Sequence, residues 1–190
     1  MPRISIRSFL KFAESILGVL GVRYVNTKLY MRDMKSQIPS TECPVQIDVV
    51  RAKGSSFDFY FKDNAELMRL RSGDECFIAL HDGKVISHFW ISLNMPVYIP
   101  ELERTFHFGP NSVYHFDAWV HPDFRNNSIA KKSVEKMFHI LKGTGLEKSY
   151  TTSRYLPAQK LLLKHNFKPV KIIRYFRLFF YRKYVEENIG

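Results

Sequence analysis

Residues 113–131 read Val113-Tyr114-His115-Phe116-Asp117-Ala118-Trp119-Val120-His121-Pro122-Asp123-Phe124-Arg125-Asn126-Asn127-Ser128-Ile129-Ala130-Lys131. Val113–Val120 is rich in aromatic and β-branched residues, which suits a strand. His121–Ser128 is polar, with a proline and two asparagines, and reads as a turn. From Ile129 onward Ala130, Val134, Met137, Phe138 and Leu141 recur at steps of three and four, one face of a helix, with Lys131, Lys132, Glu135 and Lys142 on the others. Asn126 or Asn127 is the expected N-cap and Gly143 the C-terminal stop. A strand that turns directly into a helix offers the helix's first N–H groups and positive dipole end to an anion, and a pyrophosphate is a natural guest. Arg125 adds a cation at the mouth, Lys131 stands in the first turn, and the small Ser128 and Ala130 let a phosphate approach the backbone. On spacing alone, a helix start that merely caps itself accounts for these residues equally well.

Outward from this stretch the pattern alternates between the two periodicities. Phe9, Phe12, Ala13, Ile16, Leu17 and Leu20 lie at helical spacing, so residues 8–21 are expected to be a helix. It reads as a helix packed on the domain, with an interfacial membrane helix as the alternative because Arg3, Arg7 and Lys11 flank it. Val22–Met31 is an expected strand, Pro39–Pro44 a connector, Val45–Val50 a strand and Ser56–Arg71 mostly helical. The Asp82-Gly83 pair joins strands Cys76–Leu80 and Val85–Leu93 as a hairpin. Pro96–Pro110 reads as a loop with short extended pieces, Ser149–Arg154 as a strand and Pro157–His165 as a short helix. Val170–Tyr181 closes the series as a strand or strand pair. The order predicts an α/β chain of the α+β type, one mixed sheet flanked by helices.

Composition narrows the functions. The chain has 190 residues, enough for a packed core, and its two cysteines, Cys43 and Cys76, cannot build a disulfide framework or a cysteine-rich zinc site. A reducing, cytoplasmic compartment is therefore expected. No apolar run reaches the length of a membrane span, and Phe9–Val22, interrupted by Lys11 and Glu14, does not fit a cleavable signal peptide. The net charge is 29 − 18 = +11. Between Arg125 and Lys183 only Glu135 and Glu147 oppose 15 Lys and Arg, a field suited to nucleic acid, anionic lipid or a phosphorylated cofactor. The seven histidines show no metal-ligand spacing, so no metal is expected.

The stretch Trp119–Ala130 resembles the central motif of the GNAT family of N-acetyltransferases, a strand ending in Val-x-Pro-x-Tyr/Phe followed by Arg/Gln-x-x-Gly-x-Gly/Ala at a helix start. Arg125, Ser128 and Ala130 fall on the three signature positions. Pro157–Phe167 is similar to the family's second motif, and Gly73–Ala79 through Trp90 to its central hairpin, so the likeness spans Val45–Leu178. The resemblance implies a twisted, mostly antiparallel sheet that splays at a bulge in the Val113–Val120 strand. It implies a domain over residues 45–190 that binds acetyl-CoA or another acyl-CoA, with residues 1–44 as an appendage of helix and strand. The pantetheine would pair with the backbone of Trp119 and Val120, and the pyrophosphate would rest on Arg125, Asn126, Asn127, Ser128, Ile129, Ala130 and Lys131. This sequence departs from the family pattern at four places. Ser128 replaces a glycine, Tyr155 an asparagine and Asn166 the glycine before Phe167, while Leu162 stands where the family often keeps a proton-donating tyrosine.

Direct acyl transfer to an amine needs a base and a polarised carbonyl, and a proton for the departing thiolate. Alternation puts His115, Asp117 and Trp119 on one face if no bulge intervenes, which makes Asp117 the first choice for base or amine orienter, ahead of His115 and His121. Tyr155 is the nearest phenol able to replace the missing acid, Glu75 is a further possible base, and Cys76 reads as core. The expected activity is N-acyl transfer from acyl-CoA to a primary amine in a ternary complex. A CoA-binding module without turnover and a basic protein of nucleic-acid or membrane surfaces are the competing classes. The sequence carries no nucleic-acid-binding motif, so nucleic acid is not expected as a partner; a homodimer and peripheral membrane contact stay open.

Overall fold

The computed structural model describes residues 21–52, 73–93 and 96–189. The helices expected over residues 8–21 and 56–71 lie outside the described residues, save Gly21. Eight strands form one sheet in the order β10-β9-β1-β8-β7-β4-β3-β2. They are β1 (Val22–Asp33), β2 (Asp48–Ala52), β3 (Glu75–His81), β4 (Lys84–Leu93), β7 (Ser112–Val120), β8 (Lys148–Ser153), β9 (Lys168–Leu178) and β10 (Tyr181–Asn188). A small hairpin of β5 (Val97–Ile99) and β6 (Arg104–Phe106) stands apart from them, and α1 (Ile129–Leu141) and α2 (Leu156–Lys164) are the described α-helices. Every pairing is antiparallel except β7 with β8, so the sheet is mixed and mostly antiparallel, as expected.

Strand β1, from the segment expected as an appendage, sits inside this sheet, paired with β9 on one side and β8 on the other. The segment expected to close the series, Val170–Tyr181, is one strand, β9, as far as Leu178; the second strand, β10, lies almost wholly beyond it and is joined through the two residues Phe179-Phe180, a turn that aromatic side chains do not announce. Strand β2 begins three residues later than expected, at Asp48.

The sheet is covered on both faces. On one, Met137, Phe138 and Leu141 of α1 pack with Phe77, Phe89, Ile91, Val113 and Phe167. On the other, Val97, Ile99 and Leu102 of the β5–β6 hairpin pack with Val25, Leu29, Tyr114, Ile173 and Tyr175. Burying one such side chain stabilises the fold by about 1.5–3 kcal/mol, so these two layers outweigh any surface pair.

Two buried histidines lie under α1 and α2. His115 Nε2 lies 2.5 Å from Ser149 Oγ, and its ring packs against Phe138 and Phe167. Burial, helped by the nearby Arg32 charge, pushes its pKa down to about 3. His165 is pushed down to about 4, by burial first and then by Arg32. Both rings are neutral in the native state at pH 7, whereas in the unfolded chain they titrate near 6.5. Below that pH the unfolded chain binds more protons, so this stability is complete above about pH 6.5 and is lost as pH falls towards 4. The urea midpoint is expected to drop already between pH 6.5 and 5, before the carboxylates titrate, and His165→Gln should flatten that limb. A midpoint constant over this interval would contradict the two assignments.

Candidate functional site

The site begins with one extra residue. Phe116 pairs with Trp90 and Trp119 with His88, so two residues, Asp117 and Ala118, stand opposite Phe89 alone. Asp117 carries the strain of this bulge at φ 51, a conformation Asp tolerates better than most residues. The bulge reverses the alternation. Trp90 and His88 share a face of β4, so Phe116 and Trp119 share a face too, and His115 points to the opposite one. The expectation of His115, Asp117 and Trp119 on one face is thereby corrected: His115 is buried under α1, and Trp119 stacks on His88 at 5.4 Å.

Strand β8 follows β7 only as far as His115, opposite Thr151. Beyond that point the two strands part, and a cleft of about 1000 Å³ opens between them. Ala118, Trp119 and Val120 line one wall, and Tyr155, Pro157, Ala158 and Leu161 the other. After Val120 the chain makes a 3₁₀ turn over Pro122–Phe124, capped by His121, whose Nδ1 accepts the Asp123 N–H at 3.4 Å. Asn126 at φ 68 and Ser128 at φ 60 then turn the chain into α1. Ser128, not Asn126 or Asn127, is the N-cap, and its side chain caps nothing. The first N–H groups of α1 are therefore left to the cleft, which Ile129, Ala130 and Lys131 line.

The charge there is one-sided. Arg125, Lys131, Lys160 and Lys164 line the cleft, and among the described residues no lining residue is acidic. Arg125 is oriented by a hydrogen bond from Nε to the Val120 carbonyl at 3.1 Å. The Glu135 carboxylate, one turn further along α1, is already engaged by Lys132 Nζ at 2.7 Å and by the Thr41 N–H at 2.7 Å. Although burial opposes it, these contacts hold its pKa below the ordinary value. A second cavity of about 390 Å³ adjoins the first and shares Ser128, Lys131 and Lys164 with it.

Of the residues expected to hold a cofactor, Trp119, Val120, Arg125, Asn126, Ser128, Ile129, Ala130 and Lys131 line this one cleft, and Asn127 does not. The Asn127 carbonyl instead accepts the Cys43 thiol at 3.2 Å. Tyr155 lies on the cleft wall, 46% exposed, whereas Asp117 is exposed on the bulge outside the lining. Glu75 is held by the Arg51 guanidinium, and Cys76 is fully buried in the core. Leu162 packs on the core beneath α1, and its neighbour Leu161 faces the cleft. Sequence reasoning missed His88 and Ser87, whose Oγ donates to the Trp119 carbonyl at 2.8 Å, because only the bulge's register brings them to the site. It also missed Lys160 and Lys164, although their spacing of four residues, one face of α2, was a signal that could have found them.

Residues 42–167 match the family model described as Acetyltransferase (GNAT) family. The chain belongs to that family. Solved structures agree on the fold of this GNAT chain. The GCN5-related N-acetyltransferase of Kribbella flavida superposes with a TM-score of 0.57 at 8% identity, over 86% of this chain and 62% of its own. The GCN5-related N-acetyltransferase of Sphaerobacter thermophilus gives 0.56 at 13% identity, over 99% and 59%. A GCN5-related glucosamine N-acetyltransferase region in a fungal multi-domain β-N-acetylglucosaminidase gives 0.57 at 16%, over 93% of this chain and 23% of that one. This chain thus spans less than two thirds of the length of each of these three. No curated protein matches it in sequence.

The GNAT turn of this chain is built under strain. Ser128 occupies the left-handed region at the position of a family glycine, at a cost of about 1 kcal/mol. Ser128→Gly should therefore raise the unfolding free energy by about 1 kcal/mol less the entropy glycine adds to the unfolded chain, whereas Ser128→Val should lower it. Urea denaturation of the three proteins checks the order Gly, Ser, Val.

Proposed function

We propose that this GNAT chain transfers an acetyl or other acyl group from acyl-CoA to a primary amine by direct attack in a ternary complex. The observation that carries this reading is the cleft opened by the Asp117–Ala118 bulge, which ends on the amino end of α1, where the described residues supply four cations and no carboxylate. Those residues fit an acyl-CoA. An elongated anionic molecule needs an open slot with a backbone edge along one wall, and a cradle of N–H donors that no bulky side chain obstructs. Ser128 and Ala130 keep the cradle accessible. In this reading Arg125 and the N–H groups of Ile129, Ala130 and Lys131 hold the pyrophosphate, with Asn126 and Asn127 shaping the turn around it. The backbone of Trp119 and Val120 aligns the pantetheine arm.

Acyl-CoA supplies an activated thioester. The chain's own residues position the amine, exclude water and manage protons. The phenol of Tyr155, on the wall across from Trp119, is the proposed proton donor to the departing sulfur. Asp117, at the rim, is the proposed base or orienter for the amine, acting through water because it stands outside the lining. A positioned general acid is typically worth about 10²–10⁴-fold. Leu161 and Leu162 offer no proton, so Tyr155 carries that whole contribution. Transfer needs no resident metal in this scheme.

A second reading, CoA binding without turnover, is favoured by one observation: among the described residues, none that lines the cleft is acidic. Two measurements separate the readings. Acetyl-CoA at millimolar concentration should raise the Tm by mass action, and Ala130→Leu should abolish the shift while leaving the apo Tm in place. Thiol release with a panel of primary amines should then depend on Tyr155, with Tyr155→Phe lowering kcat more than KM, and Asp117→Asn should flatten the acidic limb of the pH–rate profile. Binding without thiol release from any amine would establish the second reading. No Tm shift with folded protein would refute both.

A further inference from the structure

The β9–β10 hairpin turns on Phe179-Phe180, with Leu178 paired to Tyr181. Phe179 has φ 52, the positive value that the first central residue of such a turn adopts and that ordinarily selects glycine. A phenylalanine there costs stability in the turn, and strain kept in this way points to a use for the side chain. Its neighbour Phe180 is 96% exposed, Phe179 66% and Tyr181 54%. Tyr24, Leu178, Tyr181 and Val185 continue the apolar surface along one face of β1, β9 and β10, because Tyr24 pairs with Phe176, and Phe176 and Leu178 are two residues apart.

The opposite face of the same end is cationic. Arg23, Arg177 and Arg182 stand in one row across the three strands. All three lie within ion-pair distance of Glu103, at 3.3, 2.5 and 3.5 Å, so one carboxylate faces three guanidinium groups. Lys183 is exposed beside the tip. The chain enters this end at Gly21, whose carbonyl accepts the Phe179 N–H at 2.8 Å. The sequence immediately before Gly21 sets Arg3, Arg7 and Lys11 among Phe9, Phe12, Ile16, Leu17 and Leu20.

We propose that this hairpin tip is a docking surface for an anionic lipid bilayer, with Phe179, Phe180 and Tyr181 entering the interface and Arg182, Lys183 and the Glu103 arginines facing the headgroups. Aromatic rings suit the depth of the headgroup region, and each cation near an anionic leaflet adds to the attraction. A protein groove would cover the aromatic residues equally, but three guanidinium groups sharing one carboxylate leave net positive charge behind them, which an anionic surface matches. The competing occupant is the chain's own segment 1–20, folded back over the tip.

The test is sedimentation of the full chain with vesicles of phosphatidylcholine containing about one third phosphatidylglycerol, against phosphatidylcholine alone. The protein should pellet with the anionic vesicles, less so at high salt, and remain in solution with the neutral ones. Phe180→Ser should weaken partitioning about tenfold with an unchanged Tm, as expected for withdrawing one buried phenyl ring. Phe179→Gly, which suits the turn, should weaken it as well, so a loss cannot be put down to misfolding. Wild-type protein left in solution by anionic vesicles, equal pelleting with neutral ones, or variants that pellet like the wild type would overturn the proposal. So would a lowered Tm for Phe180→Ser, which would show the ring already covered by the chain itself.

Discussion

One extra residue in β7 sets the geometry of everything around the cleft. With Asp117 and Ala118 both opposite Phe89, β7 bends away from β8 just beyond the last parallel pair, His115 with Thr151. Removing either residue would close the bulge: Phe116 and Trp119 would still face Trp90 and His88, now two residues apart, and β7 would run on alongside β8 without the bend. The bulge thus opens the slot.

Opening a sheet removes hydrogen bonds and contacts that the remaining structure must replace. Beneath the splay the replacement is polar and buried. Thr151 Oγ1 donates to the His115 carbonyl at 3.0 Å, and Ser149 lies against the His115 ring. Arg32 of β1 is buried with its guanidinium 4.0 Å from the Phe138 ring centroid, and it donates to the carbonyls of Ser36 and Gln37. Burial first, and then the Arg32 charge, keeps both rings neutral; at His165 the Glu135 carboxylate opposes the shift without overturning it. Since Arg32 comes from the strand inserted between β8 and β9, this buried cluster depends on the amino-terminal part of the chain.

What the sequence made legible follows from how local each signal is. The strand–turn–helix of Val113–Leu141 was readable because its period changes from two to 3.6 within a few residues, and Gly143, at φ 86, ends α1 where a left-handed residue was expected. Asn166, standing where the family pattern has a glycine, takes the left-handed conformation at φ 62, which Asn tolerates better than most residues. The bulge was reachable only through the family resemblance: Asp and Ala carry no signal of it, and register is a property of two strands. For the same reason His88 and Ser87 escaped notice. The N-cap assignment to Asn126 or Asn127 failed because the cap preference describes a helix that satisfies its own first turn. Here a left-handed Ser128 leaves those donors uncapped, the arrangement an anion site requires.

Of the eight non-glycine residues with positive φ among the described residues, Asp117, Asn126 and Ser128 stand around the cleft and Phe179 at the hairpin tip. The cleft and the tip lie towards the same end of the sheet. β7 and β8 run parallel, and β1 is antiparallel to β8 with Lys28 opposite Ser153, so Val22 lies beyond the end of β8 towards which β7 and β8 diverge. Leu178 pairs with Val22, which places the Phe179-Phe180 tip beyond that same end of the sheet. Strand pairing, with further register shifts at Leu29–Tyr30 and Ala79–Leu80, and the two apolar layers support these costly conformations. A bilayer against the tip would therefore lie on the side where the cleft opens.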